Sequence, residues 1–225
     1  MPYGCLPLAA FLGLLILLPL FLADVMLTAL GRLGLSPEVS MWAALGIFLG
    51  GMINIPVKQI PRTEVLESHS LAMFGFERMF PDRVRRTPYT VIAVNFGGCV
   101  VPVIIVLYEL VRIAAYGPAD LLLTGLAVAI NVAACYHMAR PIPRVGIAMP
   151  ALVPGLLAGL CGILFHAELA PMIAFCAGVL GPLIGADLMH LKEIRSINTS
   201  VASIGGAGTF DGIVISGLLA TLLAY

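Results

Sequence analysis

The sequence predicts an all-α fold: a polytopic transmembrane bundle of about seven spans, with broken Gly/Pro-rich helices near its C-terminal motifs. Three observations carry this. Of 225 residues, 60% are hydrophobic and only 11% charged, against about 45–50% and ~25% in a soluble domain. Mean hydropathy is +1.06. The apolar residues form runs near the ~20 residues that a bilayer crossing needs, and most of the charges lie between them.

The first span covers about 5–30. It has no basic leader, and its apolar run is too long for the core of a cleaved signal, so it reads as a retained helix. Asp24 in its outer part reads as structural, snorkelling or pairing with Arg32. Span 2 covers 39–56 and holds Asn54 near its end. The segment 57–88 mixes Val65, Leu66, Leu71, Met73, Phe74, Phe76 and Phe80 with Glu64, Glu67, Glu77 and Arg78. That composition suits a helix lying in the headgroup plane. Spans 3 and 4, at 89–111 and 119–139, carry Asn95 and Asn131, and Glu109 and Arg112 form an i,i+3 pair at the outer edge of span 3. Pro150 and Pro154 break the first half of span 5, at 145–165. Span 6, at 169–191, carries Asp187 one turn before Lys192. Span 7, at 202–225, opens on Gly205-Gly206-Ala207-Gly208 and is expected to be unwound there, just before Asp211. No internal repeat divides the chain, so residues 1–225 read as one integral membrane domain.

Counting Lys and Arg by alternate loops puts ten of the twelve with a cytoplasmic N-terminus and two, Arg32 and Arg112, outside. The expected location is therefore the inner (plasma) membrane, N-terminus in and C-terminus out. Formal net charge is zero, which offers nucleic acid no basic surface. Cys5, Cys99, Cys135, Cys161 and Cys176 are scattered singly with no CxxC, so neither a disulfide framework nor a metal site is indicated. No cofactor is implied: the glycine run is not followed by the Lys-Ser/Thr of a phosphate loop, and no HExxH occurs. The expected partner is the lipid bilayer, with a transmembrane peptide or a small solute as ligand. Gly46/Gly50, Gly155/Gly159 and Gly181/Gly185 have the spacing of close helix packing, inside the chain or in an oligomer.

Ionisable groups at membrane depth are costly unless paired or hydrated, which makes them functional candidates. Asp187 and Asp211 are the candidate catalytic residues, each flanked by small residues that leave room for water or substrate. Asn54, Asn95, Asn131, Pro150, Gly205, Gly206 and Gly208 lie in the same cytoplasmic half and are candidates for a substrate or polar cluster. For the asparagines the competing role is interhelical glue. His137 and His190 sit at span ends, where interfacial solvation accounts for them. Three functions fit: an aspartyl hydrolase acting on a transmembrane peptide, to which broken span 5 or span 7 would offer an edge for pairing; a proton- or cation-coupled small-solute transporter; and a non-catalytic assembly subunit.

Specific runs carry a resemblance. Ala139-Arg140-Pro141-Ile142-Pro143, Val145-Gly146-Ile147-Ala148 and Pro150-Ala151-Leu152-Val153-Pro154 lead to Gly185-Ala186-Asp187. Val201-Ala202-Ser203-Ile204-Gly205-Gly206-Ala207-Gly208-Thr209-Phe210-Asp211-Gly212-Ile213 completes the pattern. Together these resemble an uncharacterised family of bacterial and archaeal multi-spanning membrane proteins over roughly residues 45 to 225, which implies membership and no activity. A second resemblance is to intramembrane aspartyl proteases of the presenilin and prepilin-peptidase kind. It rests on two Asp on successive spans, glycine-rich neighbours and Pro150-Ala151-Leu152. It departs from them in that Asp187 follows Gly-Ala rather than Gly-x-Gly, Asp211 stands three residues past Gly208, and the Pro-Ala-Leu segment precedes both aspartates.

Overall fold

The computed structural model describes residues 5–61, 89–142, 146–196 and 201–225. Within them the chain forms α1 (Cys5–Arg32), α2 (Pro37–Gly50), β1 (Asn54–Pro61), β2 (Tyr89–Asn95), α3 (Val101–Tyr116), α4 (Pro118–Met138), β3 (Arg140–Ile142), β4 (Gly146–Ala148), α5 (Leu152–Phe165), α6 (Ala170–Leu180), β5 (Val201–Ile204) and α7 (Gly212–Leu223). Two wide, π-helical stretches lengthen α3 and α6: Phe96–Val100 precedes α3, and Gly181–Leu188 follows α6.

Among the described residues, four helices are long and apolar enough to cross a membrane: Ala10–Arg32, Phe96–Tyr116, Pro118–Met138 and Ala170–Leu188. Three others, α2, α5 and α7, are apolar but shorter. Their outer faces carry large exposed apolar side chains, among them Phe11, Trp42, Val111, Leu122 and Leu164. α6 is the central helix, and Ile173, Ala174, Cys176, Ala177 and Val179 on it have no exposed surface. It packs with α5 and α7 through small residues. A Cβ at Gly178 would come within 2.8 Å of the Ser216 carbonyl oxygen, and one at Gly155 within 3.1 Å of the same atom. The three small-residue spacings are taken up inside the chain: Gly46 and Gly50 face Val101 and Phe96, Gly155 and Gly159 face α7, and Gly181 and Gly185 face α4.

The all-α expectation needs correction. A three-stranded sheet of order β1-β2-β5 and a β3-β4 hairpin occupy the ends of several expected spans. β1 pairs antiparallel with β2 from Asn54↔Asn95 to Pro61↔Tyr89, and the register slips between Pro56 and Lys58, where proline supplies no N–H. β2 pairs parallel with β5, Val91↔Val201 to Val94↔Ile204. The β-branched run Thr90-Val91-Ile92-Ala93-Val94 suits a central strand covered on both faces. The first five residues of the expected headgroup segment, Val57–Pro61, therefore belong to β1. Its remaining part, 62–88, lies outside the described residues.

Pro182 accounts for the widening after α6. Proline lacks the N–H that an α-helix would use, and its ring crowds the preceding turn. The Asn131 side chain on α4 ties to the same turn, its Nδ2 donating at 2.8 Å to the Ala177 carbonyl oxygen, which also accepts from the Gly181 amide.

At the opposite end of the bundle from the sheets, Arg32 and Arg112 are tied to helix C-termini. Arg32 donates to the Leu222 carbonyl oxygen at 2.5 Å and lies over the Tyr225 ring, so it serves α7, while Asp24 is exposed on α1. Arg112 donates to the Leu33 carbonyl oxygen and pairs with Glu109 at 2.9 Å. Glu109 has no exposed surface. Removing one partner of a buried pair costs about 3–5 kcal/mol because the other charge is left uncompensated. The Arg112 side chain keeps 31% of its surface exposed, so Arg112→Met is expected to lose less, about 1–3 kcal/mol against detergent-induced unfolding, and the double substitution with Glu109→Gln to recover most of it.

Candidate functional site

Three interruptions of the helical bundle meet at one point, and glycine is what lets them meet. At the end of α2, Gly50 and Gly51 lie against the wide turn at Gly97-Gly98 and the loop Gly205–Gly208. A Cβ on Gly98 would sit 2.1 Å from the Gly205 carbonyl oxygen, and one on Gly97 would sit 2.2 Å from the Ile47 oxygen. Gly205 and Gly208 have φ of 69° and 60°, a conformation that disfavours any side chain. This crossing sets where β5 stops and where α7 begins.

Asparagine side chains lock the crossing. Asn95 ends β2 and caps the wide turn, its Oδ1 accepting from the Gly98 amide at 2.7 Å. Its Nδ2 donates to the Gly51 carbonyl oxygen at 2.8 Å and to Asn54 Oδ1 at 3.1 Å. Ser203 on β5 donates from Oγ to the same Asn54 Oδ1 at 2.5 Å. One hydrogen-bonded chain thus runs across all three strands.

Beside the crossing lies a cavity of about 340 Å³, lined by Gly146, Ile147, Asp187, Ile194, Val201, Ala202, Ser203, Ile204, Gly206, Ala207 and Asp211. That volume falls in the range of small ligand sites. Asp187 comes from the wide turn after α6 and Asp211 from the start of α7, and both are half-buried. Asp211 caps α7: Oδ1 accepts from the Ile213 amide at 3.0 Å and Oδ2 from the Ala207 amide at 3.3 Å. The backbone of Gly205 interacts with the Asp187 carboxylate. Both acids line the same cavity, and each is steadied by the same glycine loop. Their common wall mixes small residues, Gly146, Ala202, Ser203, Gly206 and Ala207, with the apolar Ile147, Ile194, Val201 and Ile204.

The remaining sequence candidates divide. Gly206 lines the cavity, whereas Gly205 and Gly208 face the crossing. Asn54 and Asn95 belong to the strand-locking chain next to it. Asn131 is elsewhere, fully buried against Ala177 and Gly181. Pro150 borders a separate depression with His137, Met138, Arg140, Ile142, Ala148 and Met149. His190 is not solvated at a span end: it is 5% exposed, its Nδ1 lies 2.9 Å from the Ala186 carbonyl oxygen, and its ring packs on Tyr136. His137 is exposed, as expected for a span end. Sequence reasoning missed the roles of Ser203, Ile194, Gly146 and Ile147 and the paired glycines at 50–51 and 97–98. The glycine pairs were the available signal, since adjacent glycines at the edge of an apolar run mark close backbone approach. Among the described residues, no group of three or more His, Cys, Asp or Glu side chains is placed to hold a metal ion.

The class these features define is an apolar helical bundle with several helices of membrane-crossing length and a carboxylate-lined cavity at one end, compatible with a membrane protein. More particularly, the chain belongs to the family described as protein of unknown function DUF1614, whose model matches residues 48–223. Neither a curated protein nor a solved structure matches the chain.

Proposed function

We propose that this protein is a membrane-embedded aspartyl hydrolase that uses Asp187 and Asp211 to cleave an amide bond in a membrane-associated peptide. The observation that supports this reading is the convergence of two acids from separate elements on one cavity. In the proposed reaction, one carboxylate takes a proton from a water as the water oxygen bonds to the scissile carbonyl carbon. The other, protonated, carboxyl donates to the carbonyl oxygen. The C–N bond then breaks with a proton delivered to the leaving amine, giving a carboxylic acid and an amine. Asp211 is held by the Ala207 and Ile213 amides, so it suits a fixed position in such a pair. The test is cleavage of quenched fluorescent apolar peptides by purified protein in lipid nanodiscs, with Asp187→Asn and Asp211→Asn as the variants. Full activity in either variant overturns the assignment.

The unwound stretch before α7 favours a second reading, a proton- or cation-coupled carrier, because such breaks beside an acid are also how carriers build solute sites. Solute accumulation in vesicles that depends on a proton or sodium gradient is what that reading predicts.

In both readings the chain crosses the bilayer seven times, with the strands supplementing α2, α5 and α7, and the cavity faces the cytoplasm. Cysteines introduced in place of Lys58 and Lys192 are expected to react with an impermeant thiol reagent only from the cytoplasmic side. A cysteine in place of Tyr116 should react only from outside. The reverse pattern would turn the cavity to the opposite face.

A further inference from the structure

The cavity has a second property beyond its acids: two sheets end there. β5 is the outer strand of β1-β2-β5, and among the described residues no strand pairs with its other edge. Successive side chains of a strand point to opposite faces. A cavity that touches Val201, Ala202, Ser203 and Ile204 without a gap therefore reaches along the strand's outer edge; of the strand's main-chain groups, the Ser203 carbonyl oxygen already accepts from the Gly206 amide at 3.1 Å. β4, the inner strand of the hairpin, lines the same cavity through Gly146 and Ile147. Gly146 has no side chain, so it presents main chain.

We propose that the cavity is a strand-binding gap: an uncharged, extended peptide segment enters it, pairs with the free edge of β5, reaches β4 on its other side, and so passes Asp187 and Asp211. Joined this way, the two sheets become one, in the order β1-β2-β5-peptide-β4-β3. The occupant must offer donors and acceptors along its length at strand spacing, which an extended main chain does and a compact solute does not. It must also be free of acidic groups, because two carboxylates already occupy the wall. The apolar Val201, Ile204, Ile147 and Ile194 lining the gap favour small or β-branched side chains. The Ser203–Asn54–Asn95 chain braces β5 from behind, so the edge is held in place before anything binds. This inference takes its substrate class from the hydrolase reading but concerns binding, which can be measured separately.

Main-chain pairing is tolerant of sequence, so a single probe serves: a fluorescent decapeptide of alternating valine and threonine, added to the full chain in nanodiscs. Two analogues carry N-methyl groups on alternate amides, one on the odd residues and one on the even. A probe paired on both sides loses binding at least tenfold in both analogues. Pairing with β5 alone weakens one analogue only, which supports the β5 contact and removes the bridge to β4. Equal binding of all three peptides, or no binding, overturns strand addition. A photoreactive version of the probe must label 146–147 or 201–204, and labelling confined to other segments also overturns it. The two proposals separate cleanly. If the methylation pattern holds while Asp187→Asn and Asp211→Asn leave cleavage intact, the gap stands and the hydrolase falls. If both acids are needed but methylation has no effect on binding, the hydrolase stands and strand addition falls.

Discussion

Gly98→Ala is expected to leave little or no folded protein. Its new methyl group would lie 2.1 Å from the Gly205 carbonyl oxygen and 3.2 Å from the Gly208 Cα. Both neighbours are backbone, so no rotamer change relieves the contact. Overpacking costs about 1–3 kcal/mol where side chains can shift, occasionally more; here two chain segments must separate, and the loss should reach or exceed the top of that range. Separation would also pull the Gly98 amide from Asn95 and shift the loop that holds both acids. The measurement is the fraction of monodisperse protein surviving a heat ramp in mild detergent. Gly125→Ala is the control: it sits in α4 with no atom within 4 Å of the added methyl. That substitution should be neutral or stabilising by roughly 0.5–1 kcal/mol, as alanine suits a helix better than glycine.

Asp187→Asn and Asp211→Asn are each expected to lower peptide cleavage by about 10²–10⁴-fold, the size of a general acid–base contribution. The amide keeps the shape of the acid and cannot take up or release the proton. Asp211 allows the structural and chemical roles to be told apart. Asparagine keeps the cap on the Ile213 amide but not the second acceptor that the Ala207 amide uses, so Asp211→Asn should lose about 1 kcal/mol of stability while losing activity. Asp211→Ala removes the cap as well, at a cost of about 1 kcal/mol. A variant series in which activity follows melting temperature would assign Asp211 to capping alone.

The helical regions of this fold were legible because hydropathy reports apolar length, and length separates a crossing helix from other elements. The strands were not, because a short apolar run reads the same in a buried strand and a buried helix. Tyr89–Asn95 is such a run: merged with the apolar residues of α3 it looks like one continuous span, although its β-branched residues marked it as a strand. The unwinding at 205–208 was readable from glycine itself. That Asp187 and Asp211 would lie at one end of the bundle was suggested by their positions in neighbouring apolar runs, and their shared cavity needed the fold. The role of Asn95 was invisible for a different reason. A buried asparagine looks alike whether it joins two helices, as Asn131 does, or caps a turn and ties strands together.

The parallel pairing of β2 with β5 also bears on how the protein is made. Asn54 and Ser203, joined by a hydrogen bond, stand 149 residues apart, and the last wall of the cavity is supplied by the final part of the chain. During synthesis β1 and β2 emerge early and can pair, but β2 keeps an uncovered edge until residues 201–204 leave the ribosome. An uncovered edge invites pairing with other chains. Contacts that wait for distant residues also form slowly. A nascent chain halted before Val201 would carry Asp187 but not Asp211 and would present that edge, a state that cellular quality control would distinguish from the mature protein by the open strand alone.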